Sequence, residues 1–264
     1  MGMNSARRIV REARAILRRS PLGRWRERRI LLDQARAWSS ADERLHAFYA
    51  PFVGPGDLVF DVGANAGNRT KVFLRLGARV IAVEPQTSCA SLLDEAFGHE
   101  PGFSLIREAL GAEAGMARLQ LSEATTIASM SPSWVEAVRG SGRFAAYHWE
   151  REERVPVTTL DVLIERHGEP AFIKIDVEGF ELEVLKGLSC PVRALSFEFT
   201  PECTDVALAC VARLVSLGFS RFNYSRDEIW HLEADPWCDA SFIQARLEAL
   251  RGDASTFGDV YARF

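Results

Sequence analysis

The sequence lacks the features that would place it in several common protein classes. No stretch of its 264 residues reaches the ~18 consecutive apolar residues that a membrane-spanning helix needs. The N-terminus has no uninterrupted apolar core of the kind found in a signal peptide. The five cysteines form no C-x-x-C pair and match no zinc-ligand spacing, so we expect reduced thiols and no structural metal. These absences predict a cytoplasmic protein.

The positive charge is concentrated at the N-terminus. Residues 1–30 contain ten arginines and two glutamates, whereas the whole chain has a net charge of −4. Apolar residues recur there at helical spacing and predict a basic amphipathic helix, namely Ile9, Val10, Ala13, Ile16 and Leu17. Such a helix either binds an anionic membrane surface or acidic partner, or packs its narrow apolar stripe on the body. The sequence leaves both open, and the acidic remainder argues against a nucleic-acid substrate.

Glycine and proline at 51–56 separate this region from the rest of the chain. We therefore predict a basic helical extension at 1–56 and one α/β domain at 57–264. Within the domain, short apolar runs alternate with helical patterns. Strands are predicted at Leu58–Val62, Arg79–Val83, 103–107, 116–121, 155–158, Phe172–Ile175, Ala194–Phe199, 219–224, 229–232 and 259–264. This alternation predicts a mostly parallel sheet with helices on both faces, which binds its ligand at the carboxyl ends of the strands.

The turn after the first predicted strand reads Asp61-Val62-Gly63-Ala64-Asn65-Ala66-Gly67. Its two glycines permit a sharp turn and a close approach of the backbone to a ligand. The spacing G-x-N-x-G is shorter than the G-x-G-x-x-G loop that receives a pyrophosphate. A short turn with polar Asp61 and Asn65 suits a ligand carrying both an ammonium and a carboxylate. The methionine end of S-adenosylmethionine has this chemistry.

Glu84 closes the second predicted strand, 21 positions after Gly63. An acidic residue about 20 positions beyond the first glycine can accept hydrogen bonds from both ribose hydroxyls of a nucleoside. No arginine follows Glu84, which argues against NADP. The turn and Glu84 together favour an enzyme that uses S-adenosylmethionine. Two alternatives stay open at this point: an NAD-dependent oxidoreductase, and a non-catalytic binding module that keeps the fold.

Four residues are candidates for the chemistry. Asp176 follows the strand Phe172–Ile175 and Glu178 lies in the following turn, and we expect at most one of them to face the cleft. His148 lies in an irregular segment between two aromatic residues, either as a general base or as a surface residue of a lid. Asp176, Glu178 and Glu198 could instead gather a Mg²⁺ ion, although nothing in the sequence demands a metal. We rank Asp176 first.

Several motifs, in this order and spacing, resemble the FkbM-type methyltransferase family: FDVGANAGNRT at 60–70, VEP at 83–85, EALG at 108–111, VPVTTLDVL at 155–163, IKIDVEGFELEVLKGL at 173–188 and SFEFTPE at 196–202. The resemblance covers about residues 57–200. It implies a Rossmann-like class I methyltransferase that uses S-adenosylmethionine, with a seven-stranded sheet whose last strand is antiparallel. The expected acceptor is a hydroxyl on a saccharide, glycolipid or secondary metabolite.

The resemblance also implies roles for individual residues. Asp61, Gly63, Asn65 and Gly67 would hold the methionine part of the cofactor, Glu84 the ribose, and Glu108 with Ala109 would lie at the adenine. The chain departs from the family pattern at two places. Gln86-Thr87 stand where a second proline is common, and Asn68 stands where an aromatic residue is common. Both departures affect the expected packing around the cofactor.

Overall fold

A computed structural model describes residues 21–122, 128–141, 149–227, 229–253 and 256–264. The helices are α1 (Pro21–Arg36), α2 (Ser40–Tyr49), α3 (Thr70–Arg75), α4 (Thr87–Phe97), α5 (Pro132–Ser141), α6 (Leu160–His167), α7 (Glu181–Lys186), α8 (Thr204–Ser216) and α9 (Ala240–Ala249). The strands are β1 (Leu58–Val62), β2 (Arg79–Val83), β3 (Phe103–Ile106), β4 (Ala109–Leu110), β5 (Gly115–Ser122), β6 (Ala128–Ser129), β7 (Trp149–Thr158), β8 (Phe172–Ile175), β9 (Ala194–Phe199), β10 (Arg221–Arg226) and β11 (Gly258–Arg263). None of the described helices combines the length and apolarity needed to cross a membrane.

A seven-stranded sheet forms the centre of the molecule, in the order β10-β11-β9-β8-β1-β2-β3. The last strand, β11, runs antiparallel to both neighbours, and the β3-β2-β1-β8-β9 part is parallel throughout. Every residue of β1 and β8 is buried because helices cover both faces of the parallel region. The predicted fold class, including the antiparallel last strand, is confirmed.

Two helical layers cover the sheet. On one face, α6, α7, α8 and α9 pack on apolar side chains that include Phe60, Ile173 and Phe197. On the other face, α2 and α3 pack on Val59 and Phe172. Because β1, β2 and β8 are parallel neighbours, their carboxyl ends lie together at one edge of the sheet.

The region before residue 57 contributes to the core. Tyr49 of α2 is fully buried, with its ring 4.9 Å from that of Phe73. Leu32 of α1 packs in a cluster with Ala64 and Ala66, behind the glycine-bearing turn. A boundary between residues 56 and 57 stays a prediction from the sequence.

A second sheet, in the order β4-β7-β5-β6, lies outside the predicted architecture. It is built on the antiparallel pair of β5 and β7, of which the sequence predicted only the parts at 116–121 and 155–158. Helices α5 and α9 were also not predicted, although Asp239 caps α9 by accepting a hydrogen bond from the Phe242 amide at 3.0 Å.

The strand predicted at 229–232 is wrong. These residues form a loop, and Trp230 and Leu232 anchor it to the helical layer. Leu232 packs against the cluster under α2, and the ring of Trp230 lies 6.2 Å from that of Phe48. The apolar pattern therefore reflects the packing of a loop rather than a sheet.

Candidate active site

Gly63 brings two turns into direct contact at the open edge of the sheet. Its φ of 77° lies in the left-handed region, and its amide donates to the Val83 carbonyl at 2.9 Å. A Cβ at this position would collide with the backbone carbonyl of Asp176. Gly67, with a φ of 85°, has the corresponding role on the other side, where a Cβ would collide with the ring of Phe97. Both positions therefore require glycine.

The Glu84 carboxylate ties the turn after β1 to the turn after β2. One oxygen accepts from the Asn65 amide and the other from the Gln86 amide, both at 2.8 Å. Burial raises the pKa of Glu84 to about 7, and the two amide hydrogen bonds oppose that rise. Because a carboxylate oxygen has two lone pairs, both oxygens can still accept from a ligand.

Asp61 is buried near the carboxyl end of β1, just before the turn that holds Gly63 and Asn65. Its Oδ2 accepts from the Thr70 hydroxyl at 2.6 Å, which joins β1 to the start of α3. Burial raises the pKa of Asp61, and the Thr70 hydrogen bond opposes the rise. Asp61 thus anchors the base of the turn that holds Gly63 and Asn65.

Glu108 and Ala109 follow β3 at the same edge of the sheet. The Glu84 amide donates to the Ile106 carbonyl at 2.9 Å, which places Glu108 two residues beyond that contact. Glu108 is partly exposed, with Oε1 3.9 Å from Nη1 of Arg166. Ala109 is buried and pairs with Val157 across the second sheet.

Three carboxylates meet after β8 and β9. One oxygen from each of Asp176, Glu178 and Glu198 lies within 4.8 Å of the others. The prediction that only one of Asp176 and Glu178 reaches the site is wrong, because Glu178 leaves strand geometry with a φ of 54°. Burial raises the pKa of Glu198 well above its usual range, and the charges of Asp176 and Glu178 raise it further.

Lys174 lies directly behind these carboxylates, and sequence reasoning missed it. Its Nζ donates to Asp259 Oδ1 at 2.8 Å and to Asp176 Oδ2 at 3.3 Å. Burial alone would lower the pKa of Lys174, but the charges of Asp176 and Asp259 outweigh it and raise the pKa. A lone lysine within the buried strand Phe172–Ile175 was the available signal, since a buried ammonium needs a partner.

The turn after Asp176 is held from two sides. Glu181 accepts from the amides of Val177 and Gly179, each at 3.1 Å, and burial raises its pKa to about 7. Ser129 of the second sheet donates to the Glu178 carbonyl at 2.6 Å. The second sheet and α5 therefore cover the acidic turn. His148 lies outside the described residues, so its role stays a sequence prediction.

Comparison with known proteins identifies the class. The model of the methyltransferase FkbM domain matches residues 61–209. The chain belongs to the FkbM methyltransferase family. The family predicted from the sequence is thus confirmed.

One relative is the hexuronic acid methyltransferase AglP of Haloferax volcanii, which is 30% identical over 163 residues. The match covers 61% of this chain and 62% of AglP, so the chain spans less than two thirds of that relative.

Two solved structures are also similar. The precorrin-6y C5,15-methyltransferase of Geobacter metallireducens is 9% identical with a TM-score of 0.41, over 84% of this chain and 88% of that one. An S-adenosylmethionine-dependent O-methyltransferase of Thermotoga maritima is 13% identical with a TM-score of 0.42, over 88% and 70% of the two chains.

Replacing Gly63 with alanine tests the contact between the two turns. We expect Gly63→Ala to weaken binding of S-adenosylhomocysteine about tenfold or more, because the backbone must shift and φ is strained. Isothermal titration calorimetry measures the affinity. Gly115→Ala is the matched control, since a Cβ there meets nothing within 4 Å. Equal affinities for the two variants would contradict the assignment.

Proposed function

We propose that the enzyme transfers the methyl group to a hydroxyl oxygen of a saccharide, with glycolipids and hydroxylated secondary metabolites as related acceptors. The observation that carries this proposal is the meeting of Asp176 with the glycine turn through Gly63. A hydroxyl must lose its proton as it attacks, and a carboxylate beside the donor can accept that proton. Similarity to a hexuronic acid methyltransferase supports a sugar acceptor.

The residues at the sheet edge fit the cofactor. In this proposal the turn of Gly63, Asn65 and Gly67 receives the methionine end, with Asp61 beneath it. Glu84 accepts from the ribose hydroxyls, and Glu108 with Ala109 borders the adenine. The edge has more carboxylates than cations, which favours a ligand carrying sulfonium and ammonium charges. The pattern of donors and acceptors therefore suits S-adenosylmethionine.

Asp176 is the proposed general base. The bound cofactor supplies a methyl group on a sulfonium, an excellent leaving group, so the protein mainly has to hold the reacting atoms in line. Asp176 Oδ2 already accepts from Lys174, which leaves Oδ1 to take the hydroxyl proton. Glu178 and Glu198 border the same space and would orient the acceptor. No metal is required in this arrangement.

The pH dependence of cofactor binding tests Glu84. Its carboxyl titrates at about 7, and only the ionised form can accept from both ribose hydroxyls. We therefore expect affinity for S-adenosylhomocysteine to rise about tenfold from about pH 5.5 to about pH 8.5. Glu84→Gln cannot ionise and should flatten the profile, whereas Glu113→Gln, at an exposed position, should keep it. An unchanged slope in Glu84→Gln would rule out the assignment.

Radiolabelled methyl transfer into whole-cell glycan, lipid and small-molecule fractions tests the acceptor and the base together. We expect label in the glycan or glycolipid fraction as an alkali-stable ether.

Asp176→Asn should lower the initial rate by about a hundredfold or more with unchanged S-adenosylhomocysteine affinity, because proton removal is lost. Asp205→Asn, whose side chain is 86% exposed, is the control. Full turnover in Asp176→Asn would refute the base, and label confined to protein would refute the acceptor class.

We also propose that the N-terminal region contacts an anionic membrane surface. In α1, Leu32 and Ala35 face the body, whereas Trp25 and Ile30 are 59% and 47% exposed. The Arg29 guanidinium lies 5.9 Å from the Trp25 ring centre, so cation and aromatic ring share the outer surface. Exposed aromatic and basic residues on one helix face suit a negatively charged bilayer.

Vesicle sedimentation measures this contact. The double variant Trp25→Ser/Ile30→Ser should bind phosphatidylglycerol vesicles about tenfold more weakly than the unaltered chain, because apolar insertion is lost. Val215→Ser, at a position 47% exposed on α8, is the matched control. If both variants sediment with vesicles like the unaltered chain, α1 does not bind membranes.

A further inference from the structure

Lys174 is unusual because a full positive charge lies inside the sheet. Its side chain is 1% exposed, against 11% for Lys71 and 47% for Lys186. On β8 it sits between Asp61 of β1 and Ser196 of β9 in the register of the strands. Burying an ammonium is costly unless it is paired and hydrogen-bonded. The position therefore needs an explanation.

One partner, Asp259, already neutralises this ammonium. The Nζ–Oδ1 distance is 2.8 Å, and Asp259 itself is buried. The Tyr261 hydroxyl lies 3.5 Å from the other oxygen of Asp259 and helps to fix it. Because the Lys174–Asp259 pair is complete, the further contact with Asp176, 34% exposed at the open edge, is additional to what burial requires.

The surroundings of Asp176 explain why that contact matters. The charged and titratable groups that face it are Lys174, Arg69, Asp61, Glu178, Glu181 and Glu198, and Asp259 pairs with Lys174 behind it. Carboxylates outnumber cations, and closely spaced like charges favour protonation of one of them. Within the described part of the chain, Lys174 is the one cation in hydrogen-bonding distance of Asp176. Among the described residues, the positive charge that contacts Asp176 is therefore that of Lys174.

We infer that Lys174, fixed by Asp259, is a positioning residue that holds Asp176 by its charge and hydrogen bond and directs the second oxygen of Asp176 toward the acceptor hydroxyl. The inference rests on the proposed role of Asp176 as base. Lys174 keeps its proton throughout and donates hydrogen bonds only. The acceptor proton passes to Asp176 as the oxygen–methyl bond forms and the sulfur–methyl bond breaks. A built-in ammonium thus supplies the positive charge that a metal ion would otherwise bring to these carboxylates.

The test compares pH profiles of methyl transfer in the full-length chain, with the whole-cell glycan extract as acceptor. Lys174→Met leaves Asp259 unpaired in the interior, so Lys174→Met/Asp259→Asn is the main variant, with folding checked by circular dichroism. We expect S-adenosylhomocysteine affinity within about twofold of the unaltered chain, and an initial rate at pH 7 lower by about tenfold or more. The acidic limb of the profile should move up by about one pH unit or more, so that activity recovers in alkali. Lys174→Arg should keep the limb near its original place.

Two results would overturn the inference. One is a folded double variant whose rate falls equally at every pH, because that loss would be structural. The other is loss of activity of the unaltered chain in EDTA with recovery in Mg²⁺, because a metal would then supply the charge. The proposed function fails separately, through full turnover in Asp176→Asn. An inactive Asp176→Asn beside an unmoved acidic limb in the double variant would refute only the role of Lys174.

Discussion

The close contact between the backbone at Gly63 and the carbonyl of Asp176 is the constraint on which the site depends. It brings the turn after β1 against the turn after β8, so the proposed cofactor region and the proposed base share one wall. Glu84 adds a second connection by binding the Asn65 amide from the turn after β2. Since each turn follows a buried parallel strand, the rigid sheet fixes these connections and no loop has to close to form them.

The sequence was most informative where structure is local. Strands β1, β2, β8 and β9 were predicted because parallel strands covered on both faces read as continuous apolar runs. The glycine spacing and Glu84 indicated the cofactor for the same reason, since both lie within the continuous strand–helix–strand unit from β1 to the end of β2. The expectation that at most one of Asp176 and Glu178 faces the cleft failed, because a left-handed φ just beyond the strand cannot be read from side-chain polarity.

Non-local pairing set the limit of prediction. The second sheet depends on β5 and β7 meeting across the 26 residues between Ser122 and Trp149, and its two outer strands, β4 and β6, have only two residues each and give no periodicity of their own. The Lys174–Asp259 pair joins residues 85 positions apart. Lys174 stands out in the sequence as a lone charge in an apolar strand, but nothing in the sequence marks Asp259 as its partner, and only the order β8-β9-β11 brings the two residues together. The most consequential polar contact in the site was therefore the least predictable.

The fixed charges of the site also affect how strongly it attracts the methyl donor compared with the product. The proposed donor carries a sulfonium, and methyl transfer leaves a neutral thioether, so one positive charge disappears beside the carboxylates. Lys174 does not change during this step, because its ammonium stays paired with Asp259 behind the strand ends. The excess of negative charge then attracts the donor more strongly than the product. The buried lysine, paired with Asp259, thus keeps a fixed positive charge behind an acid-rich site that favours the cationic donor.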